Sequence, residues 1–243
     1  MRLKRILLMS LLICLAIFSI NAKVSLAGTE YELYSINNDS HLGIKGEFKI
    51  PVVDPDYDEN DHPYNKINFE QWFQVNSTSD WFEIGYKKGN LADGTSNSIY
   101  HDGFFKSKKV NGVYTCDKLI RSFNTGTTYT FTIVDYYGKK IYDIYIGTKY
   151  FGSFADNVSP ASGGTHDMGF EVTSDAQSNQ SIGDTKISNP KYYVIDTNDY
   201  DNDNNTTERI WIPWSNLSPN RTHDAPCNIS ASYDSSTNRI TFN

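Results

Sequence analysis

Apolar and polar residues alternate with a period of two through most of the chain. Tyr129-Thr-Phe-Thr-Ile-Val134 and Lys45-Gly-Glu-Phe-Lys-Ile50 show it most clearly, and that period marks a half-buried antiparallel strand. On the same criterion strands are predicted over 31–36, 43–53, 72–75, 81–86, 100–105, 129–136, 141–146, 169–173, 185–188, 192–195, 209–214 and 229–242. Clusters of Gly, Asn, Asp and Ser separate them. Tyr136-Tyr-Gly138-Lys139, between two such runs, is expected to be a hairpin turn with glycine at positive φ. Beyond residue 27 no stretch of twelve residues carries helical periodicity. The pattern predicts an all-β fold, a two-sheet antiparallel sandwich.

The first residues read differently. Arg2, Lys4 and Arg5 precede an apolar run over 6–20, and Ser25-Leu-Ala27 follows with small residues at the positions a signal peptidase reads. Residues 1–27 are therefore expected to be a secretory signal peptide, leaving 28–243 as a single sandwich domain. The apolar run is shorter than the roughly twenty residues a membrane span needs, so no stable membrane insertion is expected.

Composition then narrows the function classes. Of 243 residues, 17 are Tyr and 13 Phe, and only 21% are charged, which excludes a coiled coil and a disordered chain. The formal net charge is −7. Four of the 22 basic residues and none of the 29 acidic ones lie in residues 1–27, so the secreted part carries −11. A field of that sign repels nucleic acid and anionic membranes, and neither is expected as a partner. Cys116 and Cys227 remain after cleavage, and in an oxidising compartment a disulfide between them is expected.

The order of several motifs carries a resemblance. Gly43-Ile-Lys-Gly-Glu-Phe-Lys-Ile-Pro51 resembles the opening strand of the glutamic peptidases (the eqolisin type). Trp72-Phe-Gln-Val75 is similar to their Trp-Val-Gly-Ile strand. Trp81-Phe-Glu-Ile-Gly-Tyr86 resembles the strand that follows, and Tyr100-His-Asp-Gly-Phe-Phe105 the aromatic strand after it. Gly126 to Ile133 and Ile182 to Asn189 are similar to later segments, so the resemblance spans about residues 43–243. It implies a concanavalin-like jelly roll. In that family a Gln orients water and polarises the carbonyl while a Glu acts as general base. The Gln position falls on Glu83. The Glu position falls on Gly169, which leaves no base, or with the register slipped on Glu171, which gives a carboxylate pair.

Two function classes follow, and whether the protein is an enzyme stays open between them. The first is a non-catalytic module binding an extracellular glycan or extended peptide on a concave aromatic face, through Trp72, Gln74, Trp81, Tyr86, Tyr100 and Asp102. Phe104 and Phe105 lie on the same strands, although alternate aromatics also fill sandwich cores. The second is an acid-acting hydrolase in which Glu83 and Glu171 divide the roles of acid and base. The five His residues are scattered without a triad signature. Two acidic loops, one with Asp54, Asp56 and Asp58 and the other over 199–205, place carboxylates at every second position, as oxygen-ligated Ca²⁺ loops do. Otherwise no cofactor is expected.

Overall fold

The computed structural model describes residues 28–39, 41–75, 80–91, 99–155, 162–174, 179–197, 208–224 and 228–243. The expected signal peptide, the acidic loop at 199–205 and Cys227 lie outside the described residues. The strands are β1 (Gly28–Asp39), β2 (Gly43–Lys49), β3 (Val53–Asp54), β4 (Lys66–Gln74), β5 (Trp81–Asn90) and β6 (Tyr100–Val110). Next come β7 (Val113–Lys118), β8 (Thr128–Val134), β9 (Ile141–Ile146), β10 (Lys149–Ala155), β11 (Ser162–Ser174) and β12 (Ser181–Ile182). The last five are β13 (Thr185–Ile195), β14 (Arg209–Pro213), β15 (Asn220–His223), β16 (Ala231–Asp234) and β17 (Arg239–Phe242). A 3-10 turn at Trp214–Asn216 is the sole helical element among the described residues.

Two antiparallel sheets result. One runs β15-β1-β11-β4-β5-β6-β7, the other β10-β9-β8-β2-β13-β17-β16 with β14 paired on β13. The alternation seen in the sequence explains their packing, because successive strand residues face opposite ways. Phe69, Phe73, Phe82, Ile84, Phe104, Met168 and Phe170 point inward from the first sheet. They meet Ile44, Phe48, Phe131, Ile133, Ile187 and Phe242 of the second in one core. The all-β two-sheet sandwich is thus as expected. The predicted hairpin after β8 is present, with Gly138 at φ 64°. Trp214 is fully buried, while Trp211 is part-exposed with the Lys45 ammonium 4.1 Å above its ring.

The opposite parity faces outward and builds the groove face of the first sheet. It carries Lys66, Asn68, Glu70, Trp72 and Gln74 of β4 and Trp81, Glu83, Gly85 and Lys87 of β5. Asp167, Gly169 and Glu171 of β11 and Phe105 and Ser107 of β6 continue the same face.

Candidate functional site

A cleft of about 140 Å³ opens on this face, lined by Thr29, Tyr31, Lys66, Asn68, Trp72, Trp81, Glu83, Tyr114 and Glu171. Strand parity assembles it. Trp72 stands directly opposite Glu83 across the β4–β5 ladder, Trp81 lies two residues before Glu83, and Asn68 stands opposite Glu171 on β11. One end is aromatic: Trp72 and Trp81 have ring centroids 5.1 Å apart at 71°, and Trp81 and Tyr114 lie 5.7 Å apart at 57°. The other end is ionic, with Lys66 Nζ 2.7 Å from Glu171 Oε1 and both side chains mostly buried.

Glu70 sits beneath the cleft, 2% exposed, between Gly169 on β11 and Gly85 on β5 in the same cross-strand row. Neither glycine places a side chain beside Glu70 in that row. No protein N–H or O–H among the described residues donates to either of its oxygens. The carboxyl of Glu83 stands diagonal to it across the β4–β5 ladder, and two carboxyls held close do not both ionise cheaply. Burial first, and the neighbouring Glu83 and Glu171 next, hold Glu70 well above the usual carboxylate range, while Lys87 pulls the other way. Glu83 lines the cleft, and its Oε2 accepts a 2.5 Å hydrogen bond from Ser107 Oγ. Lys87, 1% exposed, stacks its ammonium 4.4 Å over Phe105 and 4.0 Å from Cys116 Sγ.

The anticipated residues divide sharply. Glu83 and Glu171 do share the groove face, so the slipped register does not turn Glu171 inward. They do not, however, face each other: one strand and four residues of register separate them, roughly 16 Å between Cα atoms. Glu70 fills the interval, so the carboxyl pair is Glu70 and Glu83. Trp72 and Trp81 line the cleft, and Gln74 extends the same face, its Oε1 accepting the Thr165 amide at 3.1 Å. Tyr86 points into the core, where burial raises its hydroxyl above the usual phenol range. That hydroxyl donates to Asp102 at 2.8 Å. Phe104 is core as well, and Tyr100 packs against Tyr57 at 5.3 Å, away from the cleft. Parity explains all four: each has the opposite phase from Glu83 or lies at the strand's far end.

The loop carboxylates turn back on their own backbone. Asp54 Oδ1 accepts the Asp56 amide, Asp58 Oδ1 accepts those of Asn60 and Asp61, and Asp56 Oδ2 accepts that of Asn179. The first three are the turn-forming bonds Asp favours, and the last ties the loop to Asn179. Among the described residues no three His, Cys, Asp or Glu side chains converge as a metal site. Cys116 is a free thiol, raised by burial, in place of half of the expected disulfide.

Fold and site together define an antiparallel β-sandwich with a carboxyl-floored cleft on the outer face of one sheet. A crystal structure of scytalido-glutamic peptidase with a transition-state analogue inhibitor superposes at a TM-score of 0.53, with 8% identity over 89% of this chain and 98% of that one. A second, with a peptide-based transition-state analogue, gives 0.54 at the same identity and coverage. Another eqolisin, SCP-B in complex with the tripeptide Ala-Ile-His, gives 0.48 at 8% identity, over the same 89% and 98%. The chain is thus similar in fold to the glutamic peptidases, as its motif order suggested. No protein-family model matches the sequence, and no curated protein matches it.

Proposed function

We propose that this is an extracellular, acid-acting hydrolase of extended peptide chains. Glu83 is its working carboxylate and Glu70 the buried partner that holds a proton beside it. One observation carries the reading: two buried acids, Glu70 and Glu83, stand diagonally across the β4–β5 ladder at a cleft that Glu83 lines. Burying a second acid against the first costs stability, and such a cost concentrated at a cleft is characteristic of a reacting site.

The chemistry follows from the arrangement. Glu83 faces the cleft and accepts a hydrogen bond from Ser107 at Oε2. It can take a proton from a water whose oxygen attacks a peptide carbonyl carbon. The tetrahedral species then collapses, the C–N bond breaks, and Glu83 passes the proton to the departing amine. Glu70 has no atom open to the cleft and acts as a positioning residue. The fold is shared with peptidases solved with transition-state analogues, and that likeness supports the choice of peptide over other polymers.

A second reading has its own support. Because both Glu70 oxygens are closed off, Glu83 alone of the pair reaches a ligand. That suits a cleft binding a glycan or peptide without turnover.

An assay on acid-denatured protein between about pH 3 and pH 6 separates the readings. Mature wild type is compared with Glu83→Gln and Glu171→Gln. Loss of about 10²–10⁴-fold in Glu83→Gln, with most activity kept in Glu171→Gln, is expected for the hydrolase. Equal background in all three would overturn it, and saturable binding without turnover would establish the second reading.

A further inference from the structure

A second site lies on the far side of the sandwich from the cleft. We propose that the outer face of the second sheet binds an acidic polysaccharide. Its carboxylate or sulfate groups lie over two facing lysine pairs, Lys45 with Lys191 and Lys49 with Lys186. The inference goes beyond the hydrolase reading and does not depend on it.

Strand phase builds the face. Ile44 and Phe48 of β2, Ile187 of β13 and Ile240 of β17 point into the core, so the residues between them point outward. Lys191 follows a register shift in β13 and stands directly opposite Lys45 across the β2–β13 ladder. Lys49 and Lys186 lie one residue beyond the facing Phe48 and Ile187. Arg239 of β17 stands opposite Ser188, in the row between the two pairs. The pairs are four residues apart along β2, about 13 Å. The outward positions of these three strands thus hold five cations and one acid, Glu47.

Those charges are left unanswered. Among the described residues none of the five cations enters an ion pair. Glu47 accepts the Asn189 amide at 3.0 Å, and Asp234, opposite Arg239, accepts from Ser236 and Thr237. Asp184 stands exposed at the border, one residue before β13. Like charges directly opposite on a sheet are destabilising. Burial first, and Lys191 next, hold Lys45 below the usual ammonium range, while Glu47 pulls the other way. An anion laid across the pairs relieves that cost. The formal net charge of −7 opposes any polyanion at a distance, but at physiological salt charges beyond about 8 Å are largely screened. The acids of the cleft face lie a sheet spacing of about 10 Å away, so the lysines govern what rests here.

The kind of partner follows from the flanking groups. β2 and β13 are interior strands with ladders on both sides, so a peptide finds no edge to extend. No outward position between the lysine pairs is aromatic, so nucleic-acid bases find no ring to stack on. Hydroxyls border the cations instead: Thr130 and Thr128 stand opposite Glu47 and Lys49, and Thr241 opposite Lys186. Ammonium groups set among hydroxyls suit a sugar chain that carries charges among its own hydroxyls.

The test is calorimetric titration of the mature protein with polygalacturonate, dextran sulfate and uncharged dextran, and with single-stranded poly(dT) as the rival polyanion. Saturable binding of at least one acidic polysaccharide, and none of dextran, is expected. That binding should weaken at least about tenfold between about 50 and 200 mM salt. Lys45→Gln with Lys191→Gln, and Lys49→Gln with Lys186→Gln, should each weaken it about tenfold or more and flatten the salt dependence. Circular dichroism verifies that both double variants fold. Preference for polygalacturonate assigns carboxylate as the bound group, and preference for dextran sulfate assigns sulfate. Tighter binding of poly(dT), unchanged affinity in both double variants, or no binding at about 50 mM salt would overturn the proposal. Both double variants should match wild type on peptide substrate. Binding without hydrolysis therefore leaves this face standing and removes the hydrolase, and hydrolysis without binding does the reverse.

Discussion

Glu70 and Glu83 stand diagonally across the β4–β5 ladder, one 2% and the other 5% exposed. The row through Glu70 reads Gly169, Glu70, Gly85. Its neighbours give Glu70 no donor, and Ser107 donates to Oε2 of Glu83. Burial, with Glu83 and Glu171 near, favours a proton kept on Glu70.

That proton makes stability depend on pH. Glu70 in the folded protein is raised above its unfolded value, so between the two the folded state binds the extra proton. Stability is highest below the unfolded carboxylate value of 4.5 and is lost as pH rises through the folded one. Glu70→Gln, whose amide can donate to Glu83, should remove the dependence. Thermal melts at pH 4, 6 and 8 are expected to show the variant gaining on wild type as pH rises. Each kcal/mol of difference appears as about 2–4 °C. Parallel curves would mean that Glu70 does not keep its proton in the folded protein.

The glycines beside Glu70 are the next point of leverage. A Cβ on Gly85 would lie 2.5 Å from the Phe69 carbonyl oxygen and 2.8 Å from the Glu70 Cα. Backbone cannot yield as a side-chain end does, so Gly85→Ala should cost about 1–3 kcal/mol and displace Glu70. A melting point roughly 3–10 °C lower, with hydrolysis lost in parallel, is the expected result. Gly28→Ala, where an added Cβ meets nothing within 4 Å, is the control and should change little.

How much of this was legible in the sequence depended on strand phase. The motif order pointed to the sandwich, and β9 matches its predicted span residue for residue. Glu70 was missed because β4 was expected to begin at Trp72, whereas it begins at Lys66. Lys66-Ile-Asn-Phe-Glu does alternate, but Gln71 breaks the rhythm by facing inward, where its amide reaches the Ile44 carbonyl at 3.3 Å. Tyr86 and Asp102 were assigned to the groove by residue type, on strands the resemblance sets side by side, and their phase puts them on the inward side. The Glu70–Glu83 contact pairs residues of different strands, and no local pattern specifies which polar row lies beside which.

A second buried carboxylate holds the sheet's edge. Glu32 on β1 is fully buried, with Arg221 Nε 2.6 Å from Oε1 and His223 Nδ1 on Oε2, both partners coming from the short exposed strand β15. The cost of breaking this clamp should be asymmetric. Arg221→Met together with His223→Ala strands a buried charge and should cost about 3–5 kcal/mol. Glu32→Gln leaves Arg221 and His223, both half-exposed, open to water and should cost clearly less. Urea unfolding of the two variants decides the matter, and equal losses would show that packing, not charge, attaches β15.

Asp167 supplies the sharpest test of burial on the groove face. It stands opposite Trp72 on β11, accepts a hydrogen bond from Thr165 Oγ1 at 3.0 Å, and is pushed up by burial from 3.8 to about 6. The sign is that of a raised acid: the folded state keeps the proton longer, so stability is full below 3.8 and falls as pH climbs through about 6. The shift corresponds to about 3 kcal/mol at neutral pH. Asp167→Asn retains the oxygen that Thr165 donates to and has no charge to bury. It should melt near wild type at pH 3.5 and roughly 6–12 °C above it at pH 7. Because Trp72 intervenes between Asp167 and Glu83, the gain should add to that of Glu70→Gln within about 0.5 kcal/mol. An Asp167→Asn advantage that is the same at both pH values would place the effect in packing and remove the titration from the account.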